Sequence, residues 1–231
     1  MLDPNDRVVM VSGASRGIGR AVVERLLAAG FRVSAGVRDP RSLVATERLM
    51  LHRYDAEGTE SAQAWVDATL ARFGALHGLV NVAGVNAGFA VTDVDEAPLD
   101  TLWQLNVKAP LRLIRLALPH LMACGHGRVV NVASLSGKRV RNANVGYAMS
   151  KFALVALTHG VRQVGWEHGV RATALCPGFV ATDMTAAVTK VPRGRMSEPG
   201  DIAMLVEVVL RLSNTASVAE LLVNCQLEDM L

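Results

Sequence analysis

Aromatic side chains are scarce in this chain of 231 residues: five Phe, three Trp and two Tyr. The core must therefore be aliphatic, and a tyrosine with chemically useful neighbours stands out. Cysteine is equally sparse. Cys124, Cys176 and Cys225 form no CxxC pair and no zinc-like spacing, which excludes a disulfide scaffold and a cysteine-based metal module. No run approaches 18 apolar residues, so nothing in the chain reads as a membrane-spanning helix. Residues 1–6 are acidic and lack the apolar core of a secretory signal; with the thiols, this predicts a reduced, cytoplasmic setting. Excess charge is also small. Lys and Arg number 24 against 21 Asp and Glu, and the net +3 is spread along the chain rather than gathered into a nucleic-acid-binding stripe. Disorder is excluded by the 51% of apolar residues, which can bury enough surface to offset chain entropy.

What the chain does have is alternation. Short apolar runs at 7–12, 31–37, 49–54, 78–82, 128–133, 171–176 and 220–223 are separated by helical patterns at 17–29, 59–73, 98–123, 145–168 and 199–212. Strands that are apolar throughout and separated by helices predict a parallel sheet covered on both faces. No repeat or linker interrupts the pattern. The reading is one doubly wound α/β domain over 1–231, of Rossmann type, with about seven strands. The stretch 179–198 is read as its substrate loop.

The first strand runs into Ser12-Gly13-Ala14-Ser15-Arg16-Gly17-Ile18-Gly19 and then a helix. Glycines let backbone approach a pyrophosphate, and a helix N-terminus offers free N–H groups and a positive dipole end. The spacing G-x-x-x-G-x-G resembles the short-chain dehydrogenase/reductase family, whose pattern T-G-x-x-x-G-x-G is met here with Ser12 for Thr. Cofactor contacts are expected from Gly13, Ser15, Arg16, Gly17, Ile18 and Gly19.

At the end of the second strand an acid would favour NAD, whereas a cation would pair with the 2′-phosphate of NADP. Val37 holds the family's acidic position, Arg38 follows, and Arg16 is a second cation; together they predict NADP(H). Asp39 is close enough in sequence to neutralise part of that charge. The resemblance further implies that Asp55 and Ala56 meet the adenine. Asn81-Val82-Ala83-Gly84, similar to the family's N-N-A-G, puts Asn81, Ala83 and Gly84 against the cofactor.

Tyr147 and Lys151 stand at i and i+4, on one face of a helix. A free phenol titrates near pH ~10, and a neighbouring ammonium is expected to lower that value. Ser134 lies 13 residues before Tyr147, with Ser136 as a nearby competitor, and Asn106 lies 28 residues before Ser134. Asn106, Ser134, Tyr147 and Lys151 resemble the family's catalytic tetrad. The resemblance implies that Tyr147 is the acid, Ser134 a second donor and Lys151 the tuner and ribose ligand, while the amide or backbone of Asn106 holds a relay water. Pro177, Gly178, Val180 and Thr182, similar to the family's P-G-x-x-x-T, are implied at the nicotinamide end.

Taken together, the resemblance implies an oxidoreductase moving a hydride between NADPH and a carbonyl or secondary alcohol. It is most similar to the 3-oxoacyl-(acyl carrier protein) reductase subgroup. Two other readings stay open: an alcohol dehydrogenase for a sugar, sterol or other secondary alcohol, and a cofactor sensor without turnover. The substrate is a small keto or hydroxy compound, free or carrier-bound.

Lys138-Arg139-Val140-Arg141 lies between Ser134 and Tyr147. It reads equally as an attractor for an acidic or carrier-bound substrate and as a solvated loop. His120 and His126 read as helix-end residues with no metal role, and Cys176 as an apolar packer. The apolar Val155, Leu157, Val161 and Val164 exceed what one domain face needs, which predicts a homodimer or homotetramer. Two departures from the family remain: only seven residues separate Met184 from Pro192, and the C-terminus reads V-N-C-Q-L where V-D-G-G is usual.

Overall fold

A computed structural model describes residues 1–228; the last three residues of the expected domain lie outside the described residues. Strands β1 (Val8–Ser12), β2 (Arg32–Val37), β3 (Leu49–Arg53), β4 (Gly78–Asn81), β5 (Arg128–Val132), β6 (Arg171–Pro177) and β7 (Glu220–Val223) form one parallel sheet. Their spatial order is β3-β2-β1-β4-β5-β6-β7. Helices α1 (Gly17–Ala28), α2 (Glu60–Phe73), α3 (Ala97–Trp103), α4 (Ala109–Ala123), α5 (Val145–Gly165) and α6 (Pro199–Arg211) cover its two faces.

Period-2 alternation sorts the strand residues between the faces. Val9 and Val11 of β1 pack with Val22 and Leu26 of α1 and Ile202 and Val206 of α6. Val8 and Met10 point the other way, onto Trp65 of α2, Leu113 and Leu121 of α4 and Val161 of α5. Each such fully buried aliphatic side chain contributes roughly 1.5–3 kcal/mol. After β1 the chain winds outward through β2 and β3; from β4 it winds the other way. The loops after β1 and β4 therefore part, and a crevice opens at the carboxyl ends of those strands.

Helical structure over 98–123 is not continuous as expected. Pro110 has no N–H to give the carbonyl of Asn106, four residues back. The Ala109 N–H reaches Gln104 O instead, and Gln104–Lys108 forms one π turn between α3 and α4.

Parallel crossovers also gather the helix C-termini at the opposite edge of the sheet. Arg128 is 1% exposed there and, among the described residues, pairs with no carboxylate. Its guanidinium donates to Leu212 O (2.6 Å), Gly127 O (2.8 Å), Gly169 O (3.2 Å) and Asn214 Oδ1 (2.9 Å). Leu212 is the C-cap of α6, where the dipole end favours a cation, while Gly127 and Gly169 lie in the loops after α4 and α5, and Gly127 O also accepts the Arg171 N–H. Burial, with help from Arg7, pulls the Arg128 pKa down to about 10, so it stays charged at neutral pH. His126 sits in the same region, stacked at 5.8 Å on His77, whose Nδ1 accepts from the Val8 N–H.

Part of the apolar surface taken as a sign of association is used inside the subunit. Val155 and Val161 are 7% and 4% exposed and Leu157 packs beside them, whereas Val164 is 62% exposed. Helix α5 carries more apolar residues than an edge helix needs because it packs on both β6 and α4. Met149 and Phe152 join Val164 on its outer surface.

Arg128→Met should lower stability by roughly 2–4 kcal/mol, because several helix-end carbonyls lose their donor at once. A urea midpoint shift at unchanged slope measures this. A loss below about 0.5 kcal/mol would mean that those carbonyls do not depend on Arg128.

Candidate active site

The crevice at the switch between β1 and β4 is a cleft of about 360 Å³. Its floor is the glycine loop, and two glycines there have steric reasons. Gly13 has φ +67°, and a Cβ on it would stand 2.8 Å from the Ala83 N; a Cβ on Gly19 would collide with the Gly13 carbonyl. Ser12 Oγ accepts from the N–H groups of Val82 and Ala83 (3.1 and 3.2 Å), so the family's hydroxyl position ties the loops after β1 and β4 together. Arg16 is the N-cap of α1 but gives it no side-chain cap, and the first turn holds no acid. The leading N–H groups of α1 remain available to a pyrophosphate, so the cradle fits a dinucleotide.

Arg38 lies at the rim of the cleft, and among the described residues it has no ion-pair partner. Asp39 does not neutralise it. Both Asp39 oxygens accept from Arg41 (3.0 Å each), and Oδ1 also accepts from the Arg41 N–H; these bonds hold the carboxyl below its usual range. Arg16 reaches across the cleft to Asp183, 3.0 Å away, with both side chains exposed. Asp55 and Ala56 line the far end, where Asp55 Oδ1 accepts from the Glu57 N–H (3.0 Å). Asp55 thus holds a turn and still faces the cleft, which is compatible with the adenine contact that the resemblance implies. Ala83, Gly84 and Thr182 line the cleft as well.

Asn81 is a correction. Its side chain is 2% exposed and its Nδ2 donates to Asn131 Oδ1 (2.8 Å), whose own Nδ2 donates to Thr158 Oγ1 (2.8 Å). Strand alternation turns Asn81 away from the cleft, and the residue links β4, β5 and α5. Pro177, the last residue of β6, and Gly178 and Val180 just after it lie outside the cleft lining. Gly178 N–H donates to Val223 O, and Val180 O accepts from the Thr185 hydroxyl (2.6 Å), so Val180 can offer a carboxamide only its N–H.

The tetrad residues converge beside the cleft. Ser134 ends β5 and caps the short turn Leu135–Gly137, its Oγ accepting from the Ser136 N–H (3.0 Å). The Ser136 backbone thus supports the Ser134 hydroxyl. The Ser134 hydroxyl lies near enough to the Tyr147 phenol to favour its ionised form. Lys151 Nζ stands 5.6 Å from the Tyr147 ring centre and donates to Val132 O (3.0 Å).

The expected lowering of the Tyr147 pKa is not a property of the protein's own groups. Burial pushes the phenol up to about 12, with only the nearby Ser134 hydroxyl opposing. Burial likewise brings Lys151 down to about 8. In low dielectric both groups favour their neutral forms.

Asn106 sits in the π turn, 1% exposed. Its Oδ1 accepts from Val85 N–H (2.9 Å), and its Nδ2 donates to Val85 O and to Ser150 Oγ (3.0 Å each). Of the two relay options read from sequence, the amide is committed; the backbone carbonyl is the one that Pro110 leaves without an α-helical donor.

Asn144 escaped the sequence reading. Its Oδ1 accepts from Phe89 N–H (3.1 Å) and from Tyr147 N–H, capping α5 three residues before the tyrosine. An Asn just ahead of a helical pattern was the available signal. The basic loop is corrected too. Lys138 pairs with Glu220 (2.7 Å), Arg139 with Glu228 (2.7 Å) and Arg141 with Glu228 (3.2 Å). Two carboxylates distant in sequence thus pair with all three cations and offset all but one of their charges, so the loop is neither a free attractor nor merely solvated.

Comparison with known proteins agrees with this geometry. The short chain dehydrogenase family model matches residues 7–192. The chain is 43% identical over 229 residues to an agropine synthesis reductase of Rhizobium rhizogenes, covering 96% of this chain but 53% of that protein, so it spans about half the length of that relative. A 3-ketoacyl-(acyl-carrier-protein) reductase from Brucella melitensis, complexed with NADH, has the same fold (TM-score 0.88, 23% identity, 96% and 98% of the two chains covered). ElxO with NADP bound is also similar (TM-score 0.85, 20% identity, 95% and 97% covered).

The Lys151 pKa lies below its unfolded value of 10.5, so the protonated ammonium costs stability below pH 8, and that cost fades as pH rises from 8 toward 10.5. Lys151→Met should therefore raise the melting temperature at pH 7, by an increment that shrinks toward pH 10, while turnover is lost. Calorimetry across that range checks both signs; a variant destabilised equally at every pH would contradict them.

Proposed function

Because the chain belongs to the short-chain dehydrogenase family, whose members use a nicotinamide cofactor, we propose that it is an NADPH-dependent carbonyl reductase. The observation that carries the cofactor choice is Arg38, at the rim of the cleft with its neighbouring Asp39 committed to Arg41. A planar guanidinium there suits the 2′-phosphate, and an ordinary acid in that place would repel it. Arg16 is the second cation, exchangeable from its exposed pair with Asp183 because such pairs are worth only ~0–1 kcal/mol.

A bound nicotinamide supplies the hydride to the carbonyl carbon. Tyr147, with its phenol held protonated, donates its proton to the carbonyl oxygen. Ser134 donates a second hydrogen bond to that oxygen as charge develops on it. Lys151 holds a ribose hydroxyl and returns a proton to Tyr147, drawing on a water at the Asn106 carbonyl. In the reverse direction Tyr147 is the base that oxidises an alcohol.

For the substrate, an uncharged keto end is favoured, since Glu220 and Glu228 occupy the cations at 138–141. A 3-oxoacyl or similar small ketone meets that requirement. A sugar-derived or other secondary alcohol is the second reading, and the 43% identity to a reductase of agropine synthesis favours testing it in the reducing direction. We also propose that the chain works in the cytoplasm as a homodimer or homotetramer, with the outer surface of α5 as one contact.

NADPH consumption against simple ketones, ketoses and 3-oxoacyl thioesters tests the reading. Wild type should turn over at least one class, and Tyr147→Phe should lose at least ~10²-fold while binding NADPH within about twofold of wild type. Arg38→Asp should cost roughly 10- to 100-fold in preference for NADPH over NADH. Comparable kcat/KM for the two cofactors in wild type would remove the NADP assignment. Activity retained in Tyr147→Phe would remove the acid, and cofactor binding without turnover would point to a sensor.

A further inference from the structure

The C-terminal residues 224–228 touch both the turn that follows Ser134 and the 179–198 stretch read as the substrate loop. Glu228 is nearly buried, its side chain 4% exposed. Its carboxylate takes Arg139 in a fork, Nε to Oε2 at 2.9 Å and Nη2 to Oε1 at 2.8 Å, and Arg141 adds a contact at 3.2 Å. Burial alone would raise the carboxyl, but the two guanidinium groups outweigh it and hold its pKa down to about 2. Arg139 is itself 10% exposed on its side chain. Just upstream, Glu220 of β7 takes Lys138.

Arg139 is coupled to Ser134 by a tight run of backbone bonds. Gly137 N–H donates to Ser134 O (2.9 Å), and the N–H groups of Lys138 and Arg139 both donate to Leu135 O (2.9 and 3.2 Å). The turn is wedged against the catalytic helix, since a Cβ on Gly137 would stand 2.7 Å from the Lys151 carbonyl. On the other side of the mouth, Cys225 packs with Phe179 and Val188 against Ala181, Val191 and Met196 of the substrate loop.

We propose that residues 224–228 form a strap across the substrate mouth, and that Glu228 is a positioning residue that sets Ser134 against Tyr147 through Arg139. The proposal deepens the carbonyl-reductase reading and rests on it for the role of Ser134. Removing the charge of Glu228 leaves the Arg139 guanidinium buried without its partner. The turn then shifts to hydrate it, and Ser134 moves with the turn. A displacement near 1 Å at a reacting oxygen suffices for up to ~10²-fold in rate. The cofactor cradle at 13–19 is on other elements and stays as it is.

The experiment uses the full chain with E228Q, R139M, their double variant and R139K, each also placed in an S134A background. Three readouts are taken: kcat and KM for the best ketone, NADPH affinity by fluorescence, and amide exchange over 134–141. E228Q should lower kcat by about 10- to 100-fold, leave NADPH affinity within about twofold and speed exchange at 135–139. The double variant should be no worse than E228Q, and E228Q should have little further effect once Ser134 is Ala. R139K, which keeps the charge but loses the fork, should show a smaller effect of the same kind and serves if E228Q fails to fold. Unchanged kcat, unchanged exchange, or an undiminished effect of E228Q in the S134A background would each overturn the proposal. If wild type reduces no ketone, the functional reading fails, while exchange still decides whether Glu228 fixes the turn.

Discussion

The buried amide of Asn106 is the joint on which the candidate site depends. Three hydrogen bonds from one side chain fix the backbone of Val85, in the loop after β4, and the hydroxyl of Ser150 on α5. Ser150 in turn donates to Tyr147 O (2.8 Å). One side chain therefore sets the distance between the loop after β4 and the helix that carries Tyr147. The fit is close: a Cβ on Gly84 would stand 2.9 Å from Asn106 Oδ1. The π turn makes the arrangement possible, because widening the helix by one residue turns Asn106 inward and leaves its carbonyl without an α-helical donor.

Around that joint, the polarity of the fold divides the labour between the two edges of the sheet. Parallel crossovers bring the start of α1 to the carboxyl edge, uncapped and free of acids, where an anion is favoured. The same topology leaves helix C-termini at the other edge, and Arg128 answers them with carbonyl contacts instead of an ion pair. At the chemical centre, burial drives Tyr147 and Lys151 toward their neutral forms, a cost in stability that is retained where proton transfer needs it.

What was legible in the sequence was whatever depends on short spacing. The strand–glycine–helix unit, the i,i+4 relation of Tyr147 and Lys151 and the alternation of strands and helices are all local. The seven-stranded parallel sheet followed from them. What escaped was long-range pairing. The basic loop at 138–141 is paired with two carboxylates some 80 residues away, and the inward face of Asn81 depends on a partner in β5. The apolar stripe of α5 looked like an interface because sequence alone does not show that one helix packs on both a strand and another helix. The π turn was hidden for the opposite reason: Pro110 was visible, but at the start of a helix proline is ordinary, and only the reach of Ala109 to Gln104 reveals the extra residue.

The central claim is that the Asn106 side chain serves catalysis by holding Val85 and the Tyr147 helix in register, while its carbonyl faces the relay. One measurement tests it directly: amide exchange at Val85 and the single-turnover rate of NADPH oxidation, taken on the same sample of Asn106→Ala, which keeps the carbonyl and removes the amide. The expected result is faster exchange at Val85, by roughly 10-fold or more for a lost buried hydrogen bond, together with a matching fall in the single-turnover rate. Exchange at Val85 that stays slow, or a single-turnover rate that stays at the wild-type value, would contradict the claim.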